Sequence, residues 1–184
     1  MILAVDMGNT NIEVGCIDDE KIHFVERIST DIRKTELEYA VLIKTIMELH
    51  NISSSDIDGS IISSVVPPLT HILKVALKKL LNQTPVVVGA GLKTGLNIKM
   101  DNPGQMGADL VVDSVAGLNF YSAPFTVIDM GTATTMSVVD KDRNYIGGVI
   151  IPGVNASLEA LVSQASLLPR ISLATPQKVI GKNT

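Results

Sequence analysis

Ala4-Val5-Asp6-Met7-Gly8 returns 123 positions later as Val127-Ile128-Asp129-Met130-Gly131. Each copy is a short apolar run that ends in an acid and a glycine, the pattern of a buried strand running into a turn. The flanking order repeats as well. After the first copy, Gly8-Asn9-Thr10-Asn11 carries turn chemistry, and Ile12, Val14 and Cys16 alternate with polar neighbours at period two. Asp18-Asp19-Glu20 makes a second turn, and Ile22, Phe24, Arg27 and Ile28 outline a third strand. The second copy is followed by the polar turn Thr132-Ala133-Thr134-Thr135, a strand through Met136, Val138 and Val139, and another from Tyr145 to Ile151. Ala156, Leu158, Ala160, Leu161 and Ala165 then mark a helix after Pro152-Gly153. Two βββα units with the same acidic corner read as an internal duplication.

The first copy continues further. Thr35 and Glu38 have capping-box spacing, and Leu37, Ala40, Val41, Ile43, Lys44 and Met47 follow at helical intervals. Gly59 to Val66 reads as a buried strand stopped by Pro67-Pro68. Leu69, Ile72, Leu73, Ala76, Leu77 and Leu80 give a second amphipathic helix, and Pro85 to Val88 a closing buried strand. The expected fold is therefore α/β, a mixed sheet in βββαβαβ order covered by helices. The second copy ends after its helix, so the chain reads as a fragment of a longer protein. Residues 1–116 form the first lobe with a connecting helix, and 117–184 a second, incomplete lobe.

Composition narrows the function classes. The 184 residues are 46% hydrophobic and 3% aromatic with no Trp, which predicts an aliphatic core. A net charge of −4 without a basic block argues against nucleic-acid capture. No apolar run approaches the ~18 residues of a membrane span, and the N-terminus lacks the basic segment of a signal peptide. The lone Cys16 fits a cytoplasmic setting without disulfides.

The repeated corner has a chemical use. Gly8 permits a close or left-handed backbone, so successive N–H groups can converge on an anion. Asn9, Thr10 and Asn11 add short donors for phosphate oxygens. Asp6 suits a hydrated cation bridging to phosphate. A matching corner at Asp129-Met130-Gly131-Thr132 would let the pair clasp a nucleotide across a cleft. No P-loop pattern occurs, and Gly89-Ala90-Gly91 lacks the third glycine of a dinucleotide fingerprint. Between the copies, Asn102-Pro103-Gly104 marks a turn, and Leu110, Val111, Ser114, Val115 and Leu118 a helix. Asp109 falls in its first turn, where a carboxylate either complements the helix dipole or accepts a proton from an alcohol attacking a γ-phosphate.

Taken in order, several motifs resemble the type III pantothenate kinase family. They are Asp6-Met7-Gly8-Asn9-Thr10, Ser63-Ser64-Val65-Val66-Pro67, Thr94-Gly95-Leu96, Asn102-Pro103 and Gly107-Ala108-Asp109. Further along come Asp129-Met130-Gly131-Thr132-Ala133-Thr134-Thr135, Gly147-Gly148 with Pro152-Gly153, and Ile180-Gly181-Lys182-Asn183-Thr184. The resemblance implies the duplicated ribonuclease-H-like lobes of the acetate and sugar kinase, Hsp70 and actin-like ATPase superfamily. It implies ATP-dependent phosphorylation of pantothenate, the first step of coenzyme A biosynthesis, by a homodimer that uses Mg²⁺ with the nucleotide and potassium or ammonium besides. Carried over, Asp6, Met7, Gly8, Asn9, Thr10 and Asn11 contact the ATP phosphates, joined by Thr132. Asp109 is the catalytic base, Asp129 holds the monovalent cation, and Gly107, Ala108, Asp109, Leu110 and Thr184 line the pantothenate site.

Two positions depart from the family's pattern. Leu110 stands where members carry arginine after Gly-Ala-Asp, and leucine makes no charge-assisted bond. Met100 stands where tyrosine is frequent. Both lie on the substrate side of the pattern. They keep two alternatives open: a nucleotide-binding accessory regulator of transcription, and a kinase for another small alcohol.

Overall fold

The computed structural model describes residues 1–19, 21–89, 92–176 and 178–182. Its first sheet grows from the alternation in β1 (Ile2–Met7), where Leu3, Val5 and Met7 are sealed into the core and Asp6 emerges on the other face. Strand β2 (Asn11–Ile17) returns antiparallel with Met7 opposite Ile12 and Asp6 opposite Glu13. Ile12, Val14 and Cys16 join the same core. Strand β3 (Ile22–Ser29) completes the meander, with an irregularity between Cys16 and Ile17.

Helix α1 (Glu36–Leu49) starts on the capping box read from the sequence: the Glu38 N–H donates to Thr35 Oγ1, and Glu38 Oε2 accepts from the Thr35 N–H at 2.8 Å. Its buried face is Tyr39, Ala40, Ile43, Ile46 and Met47. Leu37 and Val41, expected inward, are 62% and 54% exposed. Tyr39, two residues from each and so about 200° around the helix, lies on the buried side instead, and the face turned inward runs through Tyr39, Ile43 and Met47. Strand β4 (Gly59–Ser64) runs parallel to β1. Pro67 and Pro68 open α2 (Pro67–Leu81), at positions where a missing N–H costs nothing. The closing strand β5 is only Val86–Val87, and Val86 is 48% exposed, so the expected buried strand is short and half open. The buried residue here is Val88, whose N–H donates to Ile62 O at 2.8 Å.

The sheet order β3-β2-β1-β4-β5, with helices after β3 and β4, is the ribonuclease-H-like arrangement. Leu3, Ile43, Met47, Leu69, Leu73 and Leu77 are fully buried in its core. Removing one such leucine to alanine costs about 2–5 kcal/mol.

Past β5 come β6 (Asn97–Ile98), α3 (Ala108–Phe120), β7 (Phe125–Met130), β8 (Ala133–Val139), β9 (Asn144–Pro152) and α4 (Val154–Gln164). The strands after α3 and the final helix reproduce the expected βββα order, in a sheet ordered β6-β9-β8-β7. Strand β6 has no periodic signal in the sequence; it pairs with β9 through Asn97 and Ile98, and the Asn97 side-chain amide donates to buried Asn144. No further helix or strand follows α4 among the described residues. Two compact units result, Met1–Val127 with Ser137–Gly147, and Ile128–Met136 with Gly148 onward. Helix α3 is continuous across 116 and 117. No helix among the described residues is long and apolar enough to cross a membrane.

Carboxylates punctuate the turns. Asp31 is held well below the usual carboxylate range by the Arg33 guanidinium, and Glu38 is lowered by the Thr35 N–H and hydroxyl. Asp56 is lowered by Ser53, and Asp140 by the side-chain amide and N–H of Asn144. All four bind protons less readily folded than unfolded. Their contribution is therefore complete above the unfolded carboxylate pKa of about 4 and is lost as the pH falls through the lower folded values. Thermal unfolding followed by circular dichroism is expected to give a flat midpoint from pH 7 to about 5 and a decline below about pH 4; a midpoint that rises on acidification contradicts the assignment.

Candidate functional site

The turn between β1 and β2 is built for close backbone approach. Gly8 N–H donates to Asn11 O at 2.9 Å, and a Cβ on residue 8 would lie 3.1 Å from that same oxygen. Gly8 does not adopt a positive φ, so its role is proximity and not left-handedness. The loop carbonyls are taken up from behind by one residue at the end of β3. Thr30 Oγ1 donates to Gly8 O at 2.7 Å, and Thr30 N–H donates to Thr10 O at 3.0 Å. Both oxygens that would repel an anion are thereby engaged. The next residue is anchored in turn: buried Tyr39 accepts at its hydroxyl from the Asp31 N–H at 3.1 Å and donates to Asp31 O at 2.9 Å. A chain of hydroxyl-to-backbone bonds thus runs from α1 to the loop. Neither Thr30 nor Tyr39 carries a local sequence signal for this, because the contact depends on the β2–β3 register.

Within the loop, Asn9 and Thr10 are exposed and Asn11 is half-buried. The Met7 side chain lies wholly in the core, so this residue meets a ligand through its backbone alone. Asp6 is exposed at the carboxyl end of β1, where ligands of open α/β sheets collect. It lines a cavity of about 270 Å³ together with Glu13, Ser63, Ile61, Val88 and Val112.

Val112 belongs to α3, so the helix that carries Asp109 meets the same region. Val65 N–H donates to Met7 O at 3.1 Å, and a Cβ on Gly107 would lie 3.7 Å from Val65 Cγ1. The first unit therefore brings Gly107, Ala108, Asp109 and Leu110 to the ends of β1 and β4. Ala108 is buried, and Asp109 and Leu110 are half-buried. Asp109 sits in the first helical turn, and its Oδ1 accepts from the Leu110 N–H at 2.8 Å. A Cβ at Gly107 would also collide with Asp109 Oδ1, so this glycine makes room for the carboxylate.

The second unit holds the other corner. Asp129 is exposed near the end of β7, and a Cβ on Gly131 would lie 3.9 Å from its Oδ2. Gly131 N–H closes the turn on Ala133 O at 3.0 Å. Thr132 is exposed, and its carbonyl accepts from the Gly153 N–H at 3.1 Å as α4 begins. Gly153 permits this contact, because a Cβ there would stand 2.5 Å from Thr132 O and 2.9 Å from its carbonyl carbon. The Pro-Gly pair thus seats the helix on the acidic corner. Thr184 lies outside the described residues. Among the described residues, no cluster of three or more His, Cys, Asp or Glu forms a metal-binding group.

A family model described as type III pantothenate kinase matches residues 2–184. The chain is 48% identical over all 184 residues to a type III pantothenate kinase of Exiguobacterium sp., covering 72% of that protein. It is 46% identical to proteins of the same description from Bacillus cytotoxicus and Halalkalibacterium halodurans, covering 70% and 72% of them. Among solved structures, a Campylobacter jejuni protein described as a Baf family transcriptional activator matches with a TM-score of 0.50 and 20% identity. That match covers 96% of this chain and 68% of the other, and at such identity it speaks to the fold alone.

Two substitutions test this geometry. Thr30→Val removes the hydroxyl bond to Gly8 O and keeps the strand backbone. It is expected to weaken ATP binding several-fold by calorimetry, from a loss of about 1 kcal/mol; unchanged affinity contradicts the bracing role. Gly153→Ala is expected to lower the thermal midpoint, whereas Gly89→Ala, where an added Cβ meets nothing within 4 Å, leaves it unchanged.

Proposed function

The chain belongs to the type III pantothenate kinase family, and we infer that it transfers the γ-phosphoryl group of ATP to the primary hydroxyl of pantothenate, the first step of coenzyme A biosynthesis. The observation that carries the site assignment is the loop after β1, with Thr30 engaging both the Gly8 and Thr10 carbonyls.

Asp6 and the Gly8–Asn11 loop contact the ATP phosphates in this reading, Met7 through its backbone only, and Thr132 supplies a further phosphate contact. Mg²⁺ travels with the nucleotide. The exposed Asp6 carboxylate suits a water-mediated hold on such an ion, and the described residues form no acidic cage that would bind it alone. When bound, the ion neutralises charge on the phosphates. Asp129 is assigned to potassium or ammonium, and a homodimer is the proposed working assembly.

Asp109 aims the acceptor. The bond from the Leu110 N–H to Oδ1 fixes the carboxylate, and we assign Oδ2 to the substrate hydroxyl. The phosphoryl-transfer transition state is loose, so positioning contributes first and proton acceptance follows as the new bond forms. Gly107, Ala108, Leu110 and Thr184 are the proposed surroundings of pantothenate. Leu110 offers that substrate an apolar surface in place of a charged one, the feature that favours a different small alcohol as a second reading. Product analysis with the two alcohols in competition separates these readings.

Asp109→Asn is expected to lower kcat about 100-fold or more with little change in the dissociation constant for ATP; near-normal turnover removes the assignment. Replacing potassium by sodium is expected to depress turnover, and Asp129→Ala to abolish that difference. A sodium-supported rate equal to the potassium rate contradicts the cation role.

A further inference from the structure

Strand β4 holds two buried serines, Ser60 and Ser63, whose hydroxyls have no hydrogen-bond partner among the described residues. An unsatisfied hydroxyl costs stability and calls for a reason. The two lie on opposite faces of the sheet. Ser60 pairs in register with Leu3 on the core side, whereas Ser63 pairs with Asp6. Residues paired across adjacent strands point to the same face, about 4.8 Å apart. A serine hydroxyl at that separation reaches a carboxylate by side-chain rotation alone. Ser63 is 6% exposed, and it lines the cavity of about 270 Å³ into which Asp6 also faces. The opposite neighbour of Asp6, Glu13, is occupied: Arg27 Nε donates to its Oε1 at 3.0 Å. Among the side chains of the two strands flanking β1 at this level, the donor not yet used is the Ser63 hydroxyl.

We propose that Ser63 is a positioning residue for Asp6: when the metal–nucleotide complex binds, its Oγ–H donates to the Asp6 carboxylate and holds that carboxylate toward the hydrated cation on the phosphates. The inference rests on the reading of Asp6 given above. The Asp6 carboxylate is exposed in the free protein, so water competes with the Ser63 hydroxyl for its oxygens. Nucleotide binding displaces that water and leaves the buried hydroxyl as a fixed donor that needs no reordering. Ser63 is thus kept at a cost to the free fold, and that cost is recovered in the complex.

Mn²⁺ binding in the presence of ATP, read from the electron paramagnetic resonance of the free ion, separates this role from a structural one. Ser63→Ala is expected to raise the apparent dissociation constant of Mn²⁺ in the ternary complex about tenfold, the scale of a lost hydrogen bond to a charged group. The thermal midpoint of the free protein is expected to stay level or rise, because an orphaned hydroxyl has been removed. Ser60→Ala is the matched control, expected to match that stability effect with wild-type Mn²⁺ affinity. In Asp6→Asn, adding Ser63→Ala is expected to cause no further loss. Unchanged Mn²⁺ affinity in Ser63→Ala, together with a loss in Asp6→Asn, overturns the proposal alone. Unchanged affinity in Asp6→Asn overturns the reading of Asp6 beneath it. A lowered midpoint and weakened binding together in Ser63→Ala mark a structural role and also overturn it.

Discussion

Strand β1 has two faces, and its alternation leaves the chain no freedom about what each carries. Leu3, Val5 and Met7 are buried to the last atom or nearly so, and a slip of one residue would drive Asp6 into that core. An isolated carboxylate there would bear a desolvation cost that a domain of marginal stability cannot carry. The same constraint that seals the core therefore delivers an acid to the outer face at the carboxyl end of the strand. The turn that follows inherits its position from this register, and so do the pairs Asp6–Glu13 and Asp6–Ser63.

Around that fixed point the first unit spends small hydroxyls on backbone oxygens. Tyr39 holds Asp31, Thr30 holds Gly8 and Thr10, and the glycine allows the turn to close on Asn11. A phosphate loop needs its N–H groups presented and its carbonyls engaged elsewhere, and each of these contacts serves the second requirement. In the second unit a backbone bond does analogous work, with Gly153 N–H donating to Thr132 O where a side chain on residue 153 would not fit. The repeated Asp-Met-Gly corner is thus supported in two different ways, by side-chain bracing in one copy and by a helix N-terminus seated directly on the turn in the other.

Local chemistry was legible in the sequence wherever it is self-contained. The Thr35–Glu38 capping box, the β1–β2–β3 meander, the repeated βββα order and the placement of Asp109 in a first helical turn depend on residues a few positions apart. What depended on partners far along the chain was not. Leu37 and Val41 carry the right hydrophobicity at the wrong angle, because the face of α1 that packs on the sheet and α2 runs through Tyr39, Ile43 and Met47. The two residues of β6 are ordered by an asparagine pair that spans 47 positions, which no window of local periodicity contains. Thr30 reads as an ordinary residue at a strand end until the register places it behind the loop. The candidate site was visible as a set of acids and glycines; the hydroxyls that hold them required the fold.

The kinase reading turns most directly on whether ATP is consumed for pantothenate's sake. ADP release measured with and without pantothenate in potassium buffer, with the product's phosphate located by phosphorus NMR, answers this in one experiment. Release is expected to depend on pantothenate and to yield a single phosphate ester at its primary hydroxyl. ATP binding without pantothenate-dependent release, or a phosphate found on another alcohol offered in competition, would contradict it.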